Sequence, residues 1–125
     1  MTLMPTEDDE QRAVVAWCEG YALADIRARL LLHVPNGGHR HIATAARLRR
    51  LGVRPGVPDL LLPVVVLPYH GLWIEMKRRR GGVLSPDQHG WIDALRAEGY
   101  AVAVARGADE AIAAIIAYLG GTYAS

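Results

Sequence analysis

Residues 56–77 read GVPDLLLPVVVLPYHGLWIEMK, a segment rich in Leu and Val that prolines interrupt. The run from Asp59 to Leu67 is typical of a β-strand, and residues 72–76 predict a second strand. The intervening Pro-Tyr-His-Gly at 68–71 is typical of a turn, so we expect the two strands to pair in antiparallel orientation. The centre of the chain is therefore predicted to be a β-hairpin.

The segments on either side of this hairpin predict helices and further strands. Capping residues and the helical spacing of apolar residues predict four helices, at residues 6–20, 41–51, 85–98 and 108–119. Residues 100–105 predict a strand that pairs in parallel because a helix precedes it, while residues 29–34 fit either a short strand or the tail of a helix. The predicted fold is therefore α/β, with a mixed β-sheet flanked by helices in the approximate order α-β-α-β-β-α-β-α.

Composition excludes several classes of protein. A length of 125 residues, of which 51% are hydrophobic and 22% charged, fits one folded domain and excludes global disorder. The single cysteine, Cys18, excludes an internal disulfide and a cysteine-built zinc site. Pro63 interrupts the longest apolar run, and the acidic N-terminus lacks a signal-peptide pattern, so we expect a cytoplasmic protein without a membrane partner. The chain has no glycine-rich nucleotide-binding motif, which predicts no small-molecule cofactor.

The net charge of +1 conceals a strongly basic central region. Residues 26–86 hold eleven Lys and Arg residues and only two acidic ones, Asp59 and Glu75. Clustered basic side chains bind phosphates and release counterions, so this region is expected to face a nucleic acid. The alternative is a solvated basic surface. Carboxylates oppose the binding of a polyanion unless they hold a metal or take part in chemistry. Asp59 and Glu75 are therefore candidates for one of these two roles.

Asp59, Glu75 and Lys77 form the candidate chemical centre. Side chains alternate along a strand, so Glu75 and Lys77 point to one face, and a tight hairpin brings Asp59 near Glu75. Two carboxylates beside a backbone carbonyl form an oxygen-rich pocket suited to Mg²⁺, and an adjacent lysine can hold a water or a phosphate oxygen. This arrangement suits metal-assisted hydrolysis of phosphodiesters. The alternative is a cross-strand salt-bridge ladder at a sheet edge, since short motifs often match by accident.

Three motifs occur together in an informative order. They are Gly56-Val57-Pro58-Asp59, Trp73-Ile74-Glu75-Met76-Lys77 and Leu84-Ser85-Pro86-Asp87-Gln88. Together they resemble the VRR-NUC family of the PD-(D/E)XK nuclease superfamily, in particular its small, phage-type stand-alone members. The resemblance covers about residues 7–119 of a single domain spanning residues 1–125.

The resemblance implies a restriction-endonuclease-like core and DNA cleavage that depends on Mg²⁺ or Mn²⁺. Asp59 and Glu75 correspond to the catalytic metal ligands of the family, and the Met76 carbonyl corresponds to a third ligand. By the same resemblance, Lys77 positions or activates the attacking water. Gln88 supports the site and the scissile phosphate.

The resemblance also implies that a glutamate of the first helix lies near the metal. Glu7 fits this position best because Gln11 follows it by one turn, and Glu10 is the alternative. Stabilisation of a helix N-terminus by acidic side chains explains both glutamates equally well.

Seven residues are expected to contact DNA, two through a loop that offers amides to phosphates and five through their guanidinium groups. They are Asn36, Gly37, Arg47, Arg50, Arg54, Arg78 and Arg79. A plain turn at residues 35–38 and a solvated loop at residues 78–80 are the alternatives.

The small stand-alone members that this chain resembles are homodimers that cut branched DNA, such as four-way junctions, in bacterial or phage-infected cells. One domain of this size has room for one site, so symmetric cleavage of two strands needs two copies related by a twofold axis. Two alternatives remain at this point: a non-catalytic DNA-binding module that kept the fold, and a subunit that acts only with a partner.

Overall fold

Helices and strands alternate along the chain in the predicted order. The computed structural model describes residues 3–35 and 42–124. In chain order the elements are α1 (Glu7–Tyr21), a 3₁₀ helix (Ile26–Leu30), β1 (Leu32–His33), α2 (Ile42–Arg50), β2 (Leu60–Leu62), β3 (Leu72–Lys77), α3 (Pro86–Ala97), β4 (Ala101–Arg106) and α4 (Ala108–Leu119). The segment at 29–34, which fits either a strand or a helix tail, contains both. Within the described ranges, no helix is long and apolar enough to cross a membrane.

The four strands form one mixed sheet in the order β1-β2-β3-β4. β2 is antiparallel to both β1 and β3, and its Leu60 lies opposite Ile74 of β3. β4 runs parallel to β3, with Ala103 opposite Ile74. The antiparallel hairpin and the parallel crossover are therefore both confirmed.

The first hairpin strand is shorter than the sequence predicts. A strand was expected over residues 59–67, but β2 ends at Leu62. Pro63 follows, and a proline has no N–H to donate to a neighbouring strand, so the ladder stops there. The chain then turns back through a single bridge between Val66 and Tyr69 before β3 begins.

The two faces of β3 carry different side chains, apolar on one face and mostly charged on the other. Leu72, Ile74 and Met76 are almost fully buried in the main hydrophobic core, against which α1 and α4 pack. The alternate residues of β3 face the other side of the sheet, where α3 packs against β4. Glu75 and Lys77 are therefore buried on the side of the sheet opposite the main core.

β4 forms one edge of the sheet, and side chains cover part of that edge. Ala101 donates its N–H inward to Gly71, so Val102 and Arg106 direct their backbone groups outward. Arg96 of α3 donates to the Val102 carbonyl at 2.8 Å. The Arg106 N–H donates to the Glu110 carboxylate of α4 at 2.9 Å.

α2 is an exposed basic helix. Apart from the half-buried Leu48, the side chains that the structure describes in α2 are exposed. Arg54 donates from Nη1 to the carbonyl of Arg49 at 2.7 Å and so caps the end of this helix. The hydrophobic effect therefore contributes little to holding α2 in place, and its arginines face solvent.

Gly56 lets the loop before β2 lie directly against the first turn of α3. Its φ is +90°, and a Cβ at this position would come within 2.5 Å of the Asp87 backbone carbonyl carbon. We expect Gly56→Ala to lower the free energy of unfolding by at least about 3 kcal/mol, because it combines backbone strain with a clash against fixed backbone.

Gly52 provides the matched control for this prediction. Its φ is +102°, but a Cβ there would meet nothing within 4 Å. Gly52→Ala is therefore expected to cost only about 1–2 kcal/mol, the strain of the positive φ alone. Urea denaturation of both variants checks the difference, and equal losses would contradict the close approach of Gly56 to α3.

Candidate active site

The candidate site lies where β3 ends, and several chain segments converge there. Asp59 immediately precedes β2, while Glu75 and Lys77 lie at the C-terminal end of β3. α3 begins beside them with Ser85 as its N-cap. The opening turn of α1 supplies Glu7, which is close enough to influence the pKa of Glu75. Helix N-termini carry partial positive charge, which favours anionic groups at this end of the sheet.

Asp59 is fixed beside Glu75 by a backbone hydrogen bond. Its Oδ2 accepts the N–H of Met76 at 2.7 Å. The Asp59 backbone carbonyl accepts the N–H of Val34 and a ring nitrogen contact from His33, both at 2.8 Å. These bonds connect Asp59 to β3 and to the β1 segment. They place the Asp59 carboxylate near that of Glu75, as the hairpin predicts.

Glu75 is a buried carboxylate whose hydrogen bonds are incomplete. The residue is only 2% exposed, and its Oε1 has no hydrogen-bond partner among the described residues. Burial, followed by the negative charge of the adjacent Asp59, raises the pKa of Glu75 to about 8, although the Lys77 ammonium opposes the shift. A carboxylate in this setting favours either a proton or a cation.

Lys77 and Gln88 complete a hydrogen-bonded network around Glu75. Lys77 Nζ donates to Gln88 Oε1 at 3.0 Å and lies 3.9 Å from Glu75 Oε2. Gln88 Nε2 donates to the same Glu75 oxygen at 3.3 Å. The amide of Gln88 therefore connects the lysine and the carboxylate and sets the direction of both.

The N-cap of α3 determines where Gln88 points. Ser85 and Gln88 form a reciprocal capping box, in which Ser85 Oγ accepts the Gln88 N–H and Gln88 Oε1 accepts the Ser85 N–H. A local helix-start signal thus positions a side chain of the candidate site. The helix start at Ser85 is confirmed.

If the site cleaves DNA, as the sequence resemblance implies, we expect Gln88→Ala to lower the cleavage rate roughly 10- to 100-fold, the usual cost of removing a residue that orients metal ligands. The variant frees Lys77 and Glu75 from their shared amide partner, while leaving both charges in place. His89→Ala is the control, because it removes an exposed side chain from the same turn of α3. Single-turnover cleavage rates check the comparison, and equal rates for both variants would contradict a role for the amide.

The residues present fit a hard divalent cation. Asp59 and Glu75 offer carboxylate oxygens, and one oxygen of Glu75 is buried without a partner among the described residues. The Met76 N–H points toward Asp59. A strand residue directs its N–H and C=O to the same side, so the Met76 carbonyl also points toward Asp59. Two carboxylates and a carbonyl suit Mg²⁺, which keeps several waters when bound.

The described residues contain no group of three His, Cys, Asp or Glu side chains arranged to hold a metal. The candidate centre therefore consists of two carboxylates rather than a closed set of protein ligands. Glu7 is half-buried and is near enough to contribute to the raised pKa of Glu75, but it is not part of a formed cluster.

Glu10, the alternative to Glu7, is occupied elsewhere. Its carboxylate accepts the N–H of Ala108 and, at 2.9 Å, Nε of Arg79. These hydrogen bonds hold the pKa of Glu10 below its usual value although burial raises it. The geometry favours Glu7 over Glu10 as the helix glutamate nearest the candidate metal position.

The residues expected to contact DNA have different surroundings. Arg47 and Arg50 are exposed on α2, and Arg78 is exposed directly after β3. Arg54 caps α2, and Arg79 pairs with Glu10. Asn36 and Gly37 lie outside the described residues. Sequence patterns do not predict the contact of His33 with Asp59 or the Glu10–Arg79 pair, because each joins residues from distant parts of the chain.

Known proteins share this architecture. The VRR-NUC domain family matches residues 6–109. A solved structure described as a VRR_NUC domain protein aligns with a TM-score of 0.78 at 31% sequence identity, over 94% of this chain and 91% of that chain. No curated protein matches the chain significantly. The family match over most of the chain, and the agreement in fold, show that the chain belongs to the VRR-NUC domain family, a family of nuclease-type, DNA-acting domains.

Proposed function

We propose that this chain is a DNA endonuclease that hydrolyses phosphodiester bonds and depends on Mg²⁺ or Mn²⁺. One observation carries the proposal: Glu75 is buried beside Asp59 and Lys77, and one of its carboxylate oxygens has no hydrogen-bond partner among the described residues. A buried carboxylate pair is costly unless a cation or a proton compensates it.

The chain's own residues divide the chemical work. Asp59, Glu75 and the Met76 carbonyl would hold the cation, which when bound polarises the phosphate and makes its water more acidic. Glu75 would hold the cation as a carboxylate, with its proton released to solvent. Lys77, directed by Gln88, holds the attacking water or a phosphate oxygen in position beside Glu75. Burial of Lys77 and Glu75 strengthens these electrostatic interactions.

The exposed arginines support DNA as the substrate. Arg47 and Arg50 of α2 and Arg78, which directly follows β3, present guanidinium groups to solvent. Such groups bind phosphates with a strong dependence on salt. We propose a homodimer, because symmetric cleavage of two strands needs two sites related by a twofold axis. We also propose a preference for branched DNA such as four-way junctions, which rests on the likeness to the small stand-alone members of the family.

Cleavage of a labelled four-way junction and of the matching linear duplex tests the proposal. We expect Mg²⁺ or Mn²⁺ to support cutting of the junction, EDTA to abolish it and the duplex to be cut more slowly. Equal cutting of both DNAs would keep the nuclease and remove the preference for branches. Junction binding without cutting at any metal concentration would instead favour a binding module or a subunit that needs a partner. Sedimentation of the protein alone and with the junction tests the homodimer.

A further inference from the structure

Arg79 is held in place by Glu10, a buried carboxylate on a different element. Glu10 lies on α1 and is only 3% exposed, whereas the Arg79 side chain is half exposed. Nε of Arg79 donates to Glu10 Oε1 at 2.9 Å, and Glu10 Oε2 accepts the N–H of Ala108 at the start of α4. One carboxylate thus anchors both the loop after β3 and the first turn of α4.

Gly107 closes the other side of the Arg79 stem. A Cβ at Gly107 would lie 3.0 Å from both Cγ and Nε of Arg79, and 3.3 Å from Glu10 Oε2. The Gly107 N–H also donates to the carbonyl of Lys77 at 3.1 Å. The arginine stem is therefore fixed directly beside the end of β3, two residues after the lysine of the candidate site.

The Arg79 side chain is half exposed, and the charge of Asp109 on α4 also acts on its guanidinium. The contact with Glu10 uses Nε, and among the described residues no carboxylate other than Glu10 lies within ion-pair distance of the guanidinium. The two Nη groups remain available as a planar fork, which matches the oxygens of a phosphate. Arg78 and Arg80 are exposed neighbours without an ion pair among the described residues.

We propose that Glu10 is a positioning residue that aims Arg79 at a DNA phosphate next to the cleavage site. This inference rests on the proposed DNA-binding function and assigns distinct tasks to the two glutamates of α1. Glu7 is the glutamate assigned to the carboxylate centre, whereas Glu10 orders the arginine that binds the DNA backbone. The lysine of the site and this arginine then contact DNA from the same strand end.

The direction in which Glu10→Gln changes DNA affinity distinguishes an ordering of Arg79 from a general effect of charge. Removal of a negative charge from a basic surface strengthens DNA binding if only the overall field matters. If Glu10 orders Arg79, then Glu10→Gln weakens binding instead, because the freed guanidinium must be immobilised when DNA binds. Asp8→Asn is the matched control, since Asp8 is an exposed acid in the same first turn of α1.

Fluorescence anisotropy with a labelled junction in EDTA measures this effect without cleavage. We expect Arg79→Gln to weaken binding about tenfold and to lower the salt-dependence slope by about one. Glu10→Gln should weaken binding several-fold in the wild-type background and not at all in the Arg79→Gln background, since the two act as one unit. Asp8→Asn should bind at least as tightly as wild type, and Arg12→Gln, on the exposed side of α1, should stay within about twofold.

Each outcome decides the inference. Equal or tighter binding by Glu10→Gln, with wild type binding normally, would overturn the aiming role and leave the proposed function intact. No DNA binding by wild type would overturn both. Because Glu10 also anchors α4, Arg79→Lys provides a second variant that keeps the charge and the fold but loses the fork. Wild-type affinity for Arg79→Lys would overturn the inference even if Glu10→Gln did not fold.

Discussion

Asp59→Asn should abolish metal-dependent cleavage, with a loss of about 10³-fold or more in the single-turnover rate. The amide is nearly isosteric with the carboxylate, and its oxygen can still accept the Met76 N–H that Asp59 accepts at 2.7 Å. The variant therefore keeps the loop geometry and removes one of the two negative charges that would hold a divalent cation. Calorimetric titration with Mn²⁺ should show a parallel loss of metal binding.

Asp93→Asn is the control for this result, because Asp93 is an exposed acid on α3 and lies outside the candidate site. It should cleave DNA and bind Mn²⁺ as wild type does. If Asp59→Asn kept either metal binding or cleavage at the level of this control, Asp59 would not be a metal ligand. Thermal melts of both variants verify that the comparison concerns folded protein.

Glu75→Gln should make the metal-free protein more stable at pH 8 while removing its activity. The unperturbed pKa of a glutamate is 4.5, and burial together with Asp59 raises that of Glu75 to about 8 in the folded protein. The folded state thus keeps a proton that the unfolded chain releases. This contribution to stability is fully present below pH 4.5 and is lost as the pH rises through 8, with a slope of up to about 1.4 kcal/mol per pH unit.

Denaturation in urea with EDTA between pH 5 and pH 9 checks this expectation. The difference between variant and wild type isolates Glu75 from other titrating groups, and it should grow toward pH 8 by roughly 2–4 kcal/mol in favour of Glu75→Gln. A difference that does not change with pH would show that Glu75 is ionised throughout. Saturating Mg²⁺ should reverse the order by stabilising only the wild type.

Local signals predicted the elements of this fold well. Ser85 and Pro86 mark the start of α3 through an N-cap and a first-turn proline, and both act within a few residues. The last helix has the bounds that its pattern predicts, Ala108–Leu119. The proximity of Asp59 to Glu75 also followed from the sequence, because a hairpin and side-chain alternation are enough to bring them together.

Contacts between distant segments could not be predicted in the same way. Glu10 and Arg79 are 69 residues apart, and His33 and Asp59 are 26 apart. Nothing in either local pattern specifies the partner, because the pairing depends on how α1, β1 and the end of β3 are packed in three dimensions. The length of β2 was overestimated for a related reason: strand propensity continued past Pro63, but pairing did not.

The covered edge of β4 affects how molecules of this protein behave at high concentration. An exposed edge strand is a template for sheet growth between molecules, which leads to aggregation. Here Arg96 already occupies the Val102 carbonyl, and Glu110 occupies the Arg106 amide. An incoming strand must displace both side chains before it can pair at either position. Arg96 and Glu110 are therefore expected to oppose strand addition at the β4 edge.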